Sequence, residues 1–104
     1  MNYSFLPEAE AEYLAAICFY EEQQAGLGDA LITEFERILI LAVEKPEAWR
    51  LVHQSGIRCI RLSRFPYVVF FRMLSDNLQV TAFAHHRRRP GYWLTRVDRT
   101  VGSL

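Results

Sequence analysis

The 104-residue sequence predicts an α+β fold in the order β-α-α-β-β-β, an N-terminal helical hairpin packed on a small, mostly antiparallel sheet, with a short C-terminal helix. Three observations predict it. Apolar residues recur every three or four positions through the first 44 residues, interrupted once at Gly26-Leu27-Gly28-Asp29. The period then becomes strand-like, in three segments rich in Val, Ile and Phe joined by short polar links. The length fits a single compact domain, 1–104, and is too short for two.

Residues 2–6 read as a strand ended by Pro7, which suits the first turn of a helix, where Glu8, Glu10 and Glu12 complement the dipole. The first helix runs to about Gln24, with Ala9, Tyr13, Ile17 and Tyr20 inward and the glutamates on the opposite face. Gly26 suits a left-handed helix end and Asp29 a cap for the second helix, expected from about Ala30 to Glu44. In that helix Leu31, Phe35, Ile38, Leu39 and Ala42 keep the helical spacing, and Pro46 limits continuation. The strands that follow are expected at 57–62, 67–73 and 78–86, a meander that the first strand must join to satisfy its backbone groups. One sheet face carries the hairpin and the other is at least partly open for binding. A terminal helix is expected from Pro90, and no regular element over 97–104.

Composition excludes several classes. Apolar residues make up 51% of the chain, which argues against disorder, and no apolar run approaches the roughly 18–20 residues that span a bilayer. With no leader pattern, the chain reads as cytoplasmic and without membrane contact. Cys18 and Cys59 have no neighbours at ligand spacing and read as small buried residues, so neither a disulfide, a metal nor any other cofactor is expected. The net charge of zero hides an asymmetry. Residues 1–52 hold ten acids against three cations, whereas 53–104 hold nine arginines against two acids. Of twelve cations eleven are arginine, whose planar fork suits carboxylates and phosphates.

The familiar catalytic motifs are missing: there is no phosphate loop, Gly-x-Ser-x-Gly, His-Glu-x-x-His or Cys-x-x-Cys, and Gly26-Leu27-Gly28 belongs to a turn between helices. Chemistry concentrates instead at His85-His86-Arg87-Arg88-Arg89-Pro90-Gly91-Tyr92-Trp93, where the last strand ends. Such a cluster suits an anionic partner, nucleic acid or acidic protein. Arg58 and Arg61 either contact anions from the sheet or pair with helix glutamates, and Arg72, inside an apolar strand, fits a structural role better than a substrate contact. His85 and His86 are candidate anion contacts or a general base. Tyr92 and Trp93 either stack on bases or pack the terminal helix onto the sheet.

In this order, Pro7-Glu8-Ala9, Phe19-Tyr20-Glu21-Glu22-Gln23 leading into Gly26-Leu27-Gly28, Phe65-Pro66-Tyr67 through Arg72, and His85-His86-Arg87-Arg88-Arg89-Pro90 before Trp93 resemble the RelE/ParE superfamily of bacterial type II toxin–antitoxin systems over residues 2–96. The resemblance implies a small α+β toxin, a plasmid-stabilisation and growth-inhibition protein neutralised by a cognate antitoxin. RelE-like members cut messenger RNA on the ribosome; ParE-like members block DNA gyrase. Of the positions that assist cleavage in the ribonucleases, Arg61 and Arg87 match, while Cys59, Val68 and Trp93 stand where a basic residue, an arginine and a tyrosine are required. Valine cannot hold a phosphate and indole is no acid or base near neutral pH. Tyr92 could stand in only with a one-residue shift.

Those departures favour the ParE-like branch, a gyrase inhibitor whose target-facing groups are Arg87, Arg88, Arg89, Tyr92 and Trp93, with further anion contacts at Arg58, Arg61, His85 and His86. The rivals are a ribosome-dependent endoribonuclease acting through Arg61 and Arg87 and a non-toxic antitoxin-binding relative. A homodimer and a toxin–antitoxin hetero-oligomer both fit this reading.

Overall fold

The computed structural model describes residues 2–97, so Met1 and residues 98–104, including most of the segment expected to lack regular structure, lie outside the described residues. Strand β1 (Asn2–Phe5) leads into helices α1 (Pro7–Gln23) and α2 (Leu27–Glu44). A single 3-10 turn (Pro46–Ala48) precedes β2 (Arg50–Leu51), β3 (Arg58–Arg61), β4 (Tyr67–Leu74) and β5 (Asn77–His85). The expected α+β order is observed, with the hairpin at the N-terminus and a helical turn at 94–97. The sheet has five strands in the order β1-β5-β4-β3-β2, antiparallel except for the parallel β1–β5 pair. The edge strand β2 was not expected, because two residues cannot display a period of two.

Helix α2 starts at Leu27, three residues before the sequence expectation, and Asp29 lies in its first turn instead of capping it. The reason is a carboxylate supplied by α1. Glu21 accepts the Gly26 N–H at 3.1 Å and the Gly28 N–H at 2.9 Å, which satisfies amides that would otherwise be orphaned at the helix start. Gly26 holds φ at +95°, a left-handed turn that lets the chain reverse in three residues.

The main core lies between hairpin and sheet. Leu31, Phe35, Ile38, Leu39 and Ala42 of α2 are buried as their spacing requires, against Val69, Phe71, Val80 and Phe83 of the sheet. From α1 come Ala9, Tyr13 and Ala16, with Ile17 and Tyr20 half-buried at the margin. Tyr13 sits 4.3 Å from Phe35 and 5.2 Å from Phe83, centroid to centroid, joining both helices to β5. Truncating a buried ring such as Phe35 costs about 3–5 kcal/mol.

Two expectations fail here. Cys18 is exposed because the inward arc of α1 is already taken by Tyr13, Ala16 and Ile17, and Cys59 on β3 is only half-buried because strand alternation gives the main core to its neighbour Ile60. Glutamates are not confined to the outer face either. Glu34 is 5% exposed, and its carboxylate accepts the Ser63 N–H, the Ser63 hydroxyl at 2.9 Å and the Arg64 N–H at 3.2 Å, fixing the β3–β4 link. Glu12 is also drawn inward.

A second, smaller core lies on the other face of the sheet, where Trp93 and Val97 pack on Ile57 and Ala82 beside Phe70. The residues after β5 thus fold back as a strap over one end of that face. Gly91, at φ +77°, makes the turn, and a Cβ there would stand 3.0 Å from Leu94 Cδ1. A bulge in the β4–β5 ladder pairs Phe70 with Ala82 and Phe71 with Val80, leaving Thr81 out of register. The freed Thr81 carbonyl accepts from Arg96 Nη1 at 3.2 Å, so the irregularity helps seat the strap.

Candidate functional site

The sheet face turned away from the hairpin collects most residues singled out from the sequence. Strand alternation places Cys59, Arg61, Val68, Phe70, Ala82 and Ala84 on this side. Register puts Arg61, Val68 and Ala84 in one row across three strands, and Cys59, Phe70 and Ala82 in the next. The chain leaves β5 through His85 in a tight turn, held by His86 N–H to the Pro66 carbonyl at 2.8 Å and Arg88 N–H to the His85 carbonyl at 2.9 Å. A shallow depression of about 170 Å³ results, with Val68, Phe70 and Ala84 at its base and His85, His86, Arg88 and Arg89 around it. A second, of about 250 Å³, shares Phe70, Pro90, Gly91 and Trp93 with the first and adds Arg50 and His53.

Cations dominate the surroundings. Arg61, Arg87 and Arg89 are exposed, and their guanidinium groups have no hydrogen-bond or ion-pair partner among the described residues. Arg88 is held in place, its Cζ 3.8 Å from the centroid of the Tyr92 ring and its Nη1 4.0 Å from Glu12 Oε2. His85 and His86 stack at 4.7 Å. His85 Nδ1 accepts the Arg87 N–H at 3.1 Å, so the neutral ring carries its proton on Nε2. Burial, then the charges of His86 and Arg87, push the His85 imidazole below its ordinary value, favouring that neutral form. His86 Nδ1 lies 3.2 Å from the Pro66 carbonyl, which can only accept, so there Nδ1 is the protonated atom.

Beneath the strap Glu12 forms a clasp. Arg96 donates to it twice, Nη1 to Oε1 at 3.0 Å and Nη2 to Oε2 at 2.7 Å. Tyr92 adds its hydroxyl at 2.7 Å and Phe83 its N–H at 3.0 Å. Burial opposes ionisation of Glu12, but the hydrogen bonds from Arg96, Tyr92 and Phe83 and the Arg96 charge outweigh it, holding the carboxyl below its ordinary value. Burial, then the bond to Glu12, push the Tyr92 hydroxyl well above its ordinary value.

The sequence expectations divide accordingly. Arg87, Arg88, Arg89, His85 and His86 come together at the end of β5, with Arg61 in the row beside them. Trp93 does not face outward: it is 4% exposed in the second core, so packing, and not base stacking, is its role in this conformation. Tyr92 is half-buried, with its hydroxyl on Glu12 and the guanidinium groups of Arg88 and Arg96 against its ring. Arg58 points elsewhere, donating to the Trp49 carbonyl at 2.8 Å, and Arg72 is buried with its Nε on Gln79. The sequence reading missed Glu12, Arg96, Arg50 and His53. A signal existed for Arg96, four residues after Tyr92 and therefore on the same helical face. Among the described residues no group of His, Cys, Asp or Glu could hold a metal ion, and no helix is long and apolar enough to cross a membrane.

Comparison with known proteins is consistent with this architecture. A family model described as the ParE toxin of type II toxin–antitoxin system, parDE, matches residues 3–90. A solved chain from the chromosomal ParDE TA system of P. aeruginosa has the same fold, with a TM-score of 0.68 and 16% identity over 82% of this chain and 95% of that one. No curated protein matches the sequence.

Proposed function

The chain belongs to the ParE toxin family of type II toxin–antitoxin systems, and on that premise we propose that it acts by binding and inhibiting DNA gyrase, and that a cognate antitoxin neutralises it. The observation that carries the reading is Val68, at the centre of the row Arg61–Val68–Ala84. Phosphoryl cleavage needs cations bracketing the phosphate and a group that exchanges protons near neutral pH. Here the central position is apolar, and Tyr92, the available phenol, is committed to Glu12 with its ionisation suppressed. The exposed arginines around an apolar depression favour a contact surface over a reaction centre.

The antitoxin contact falls on the other layer in this reading. The outer side of helix α1 exposes Leu14 and Phe19, both more than half accessible, with Ile40 of α2 equally open. Side chains of that size left in water suit an amphipathic segment of a partner. The toxin would then work in the cytoplasm, where gyrase and antitoxin meet it.

Purified protein assayed for gyrase supercoiling and, separately, for cleavage of ribosome-bound message tests the reading. Gyrase inhibition with intact message is expected. Cut message without gyrase inhibition overturns it in favour of the ribonuclease, for which Arg61→Ala and Arg87→Ala abolish cutting. Growth arrest on expression without a partner excludes a non-toxic relative.

A further inference from the structure

We propose that the cleft between β4 and the strap receives an acidic protein segment of the toxin's target, which inserts one phenyl-sized apolar side chain against Phe70 and Ala84. The proposal deepens the binding-toxin reading and rests on it. Size comes first. A cavity of about 150 Å³ accepts a benzene ring, and the depression over Val68, Phe70 and Ala84 is about 170 Å³.

The surroundings set the rest of the partner's chemistry. Arg88 and Arg89 stand on one side, and Arg50 and His53 line the adjoining depression beyond Pro90 and Gly91. An apolar anchor flanked by carboxylates would therefore meet guanidinium groups on both sides, the donor forks that pair best with carboxylates. Arg88 is already oriented by Tyr92 and Glu12, so little of its side-chain freedom is lost on binding. Glu12 does not repel such a partner, because Arg96 neutralises it at 2.7 Å.

A nucleic-acid strand fits this surface less well. Strand binding of that kind relies on exposed aromatic faces for the bases. Trp93 is buried, and the Tyr92 ring has Arg88 and Arg96 against it. A sugar-phosphate chain also brings no apolar group to fill the space over Phe70. The antitoxin is assigned to Leu14, Phe19 and Ile40 on the opposite layer, which leaves this cleft to the target.

The test titrates the full-length toxin with three probes: a short Asp/Glu-rich peptide with a central Phe, the same peptide with Ala at that position, and a single-stranded DNA oligomer of equal charge. The Phe peptide should bind and shift the Trp93 indole resonance, and its Ala counterpart should bind roughly ten- to a hundredfold more weakly. Ala84→Phe, which plugs the depression, and Arg89→Glu, an exposed change that spares the fold, should each weaken the Phe peptide and target inhibition at least tenfold while antitoxin binding persists. Equal binding of the two peptides, or tighter binding of the oligomer, overturns the proposal. So does loss of antitoxin binding in Arg89→Glu with the fold intact, which makes the antitoxin the occupant. Gyrase inhibited equally by wild type and both variants overturns the cleft and leaves gyrase as target. Peptide binding that obeys these expectations, with gyrase unaffected by the wild type, upholds the cleft and removes gyrase.

Discussion

Replacing Glu12 by Gln breaks the junction between α1 and the strap, and the structure sets the size of the loss. The side chains of Glu12 and Arg96 are 18% and 12% exposed, so their interaction is largely shielded from solvent. Glutamine keeps a carbonyl where Oε1 accepts from Phe83 N–H and Arg96 Nη1, both at 3.0 Å. Its amide, however, places donors where Oε2 accepted from the Tyr92 hydroxyl and Arg96 Nη2, both at 2.7 Å. Removing one partner of a fully buried pair costs about 3–5 kcal/mol. The residual exposure and the surviving Oε1 contacts reduce this to about 2 kcal/mol. For a domain of this size each 1 kcal/mol moves Tm by roughly 4–8 °C, so a fall of about 8–16 °C is expected in thermal denaturation at pH 7. The pH dependence gives an independent check. The Glu12 carboxyl is held below its ordinary value of 4.5 in the folded chain, so its contribution is complete above that value and is lost as pH falls through the folded value. The gap between wild type and variant should therefore be flat from neutral pH down to about 5 and close below it. A Tm change under about 3 °C, or a gap that persists in acid, would refute the clasp.

Three further outcomes follow from the same geometry. Glu34→Ala strips the Ser63 and Arg64 amides of their acceptor inside the fold, costing about 2–3 kcal/mol, and hydrogen exchange at those two amides should accelerate beyond the global change. Gly91→Ala forces an L side chain into φ +77° and a Cβ to 3.0 Å from Leu94, costing about 1–2 kcal/mol and changing Trp93 fluorescence as the strap shifts. Phe19→Glu, at a position 52% exposed, should stay within about 0.5 kcal/mol of wild-type stability yet weaken neutralisation in co-expression rescue.

Long elements were legible because each obeys one dominant rule. The α2 residues predicted inward are buried, and the meander of β3, β4 and β5 follows from apolar segments separated by turn residues. What escaped depends on contacts between residues distant in the sequence. The early start of α2 depends on Glu21, seven residues before the Gly28 amide it satisfies. The inward turn of Glu12 depends on Tyr92 and Arg96, 80 and 84 residues away. Strand β2 takes its identity from pairing with β3, since its own two residues carry no pattern. The terminal aromatics were ambiguous for a related reason: Trp93 is buried against Ile57 and Ala82, both remote in sequence, on a strap that Arg96 ties to the Thr81 carbonyl.

The charge asymmetry between the two halves of the chain acquires a structural meaning from these contacts. A first half rich in acids and a second rich in arginine suggests two opposed surfaces, one on each layer. Two enclosed acids of the first half instead serve the basic half. Glu34 anchors the link between β3 and β4 just after Arg61, and Glu12 fastens Tyr92, Arg96 and, more loosely, Arg88. Consequently five arginines of that half divide into a held set, Arg88 and Arg96, and a free set, Arg61, Arg87 and Arg89, carried on backbone that the acids help to fix. Because the frame is already fixed, an acidic partner has to immobilise only the side chains of these free guanidinium groups and not the backbone that carries them. Neutralising an arginine of the free set should therefore weaken partner binding with little change in stability, whereas removing Glu12 should lower both, because it loosens the frame itself.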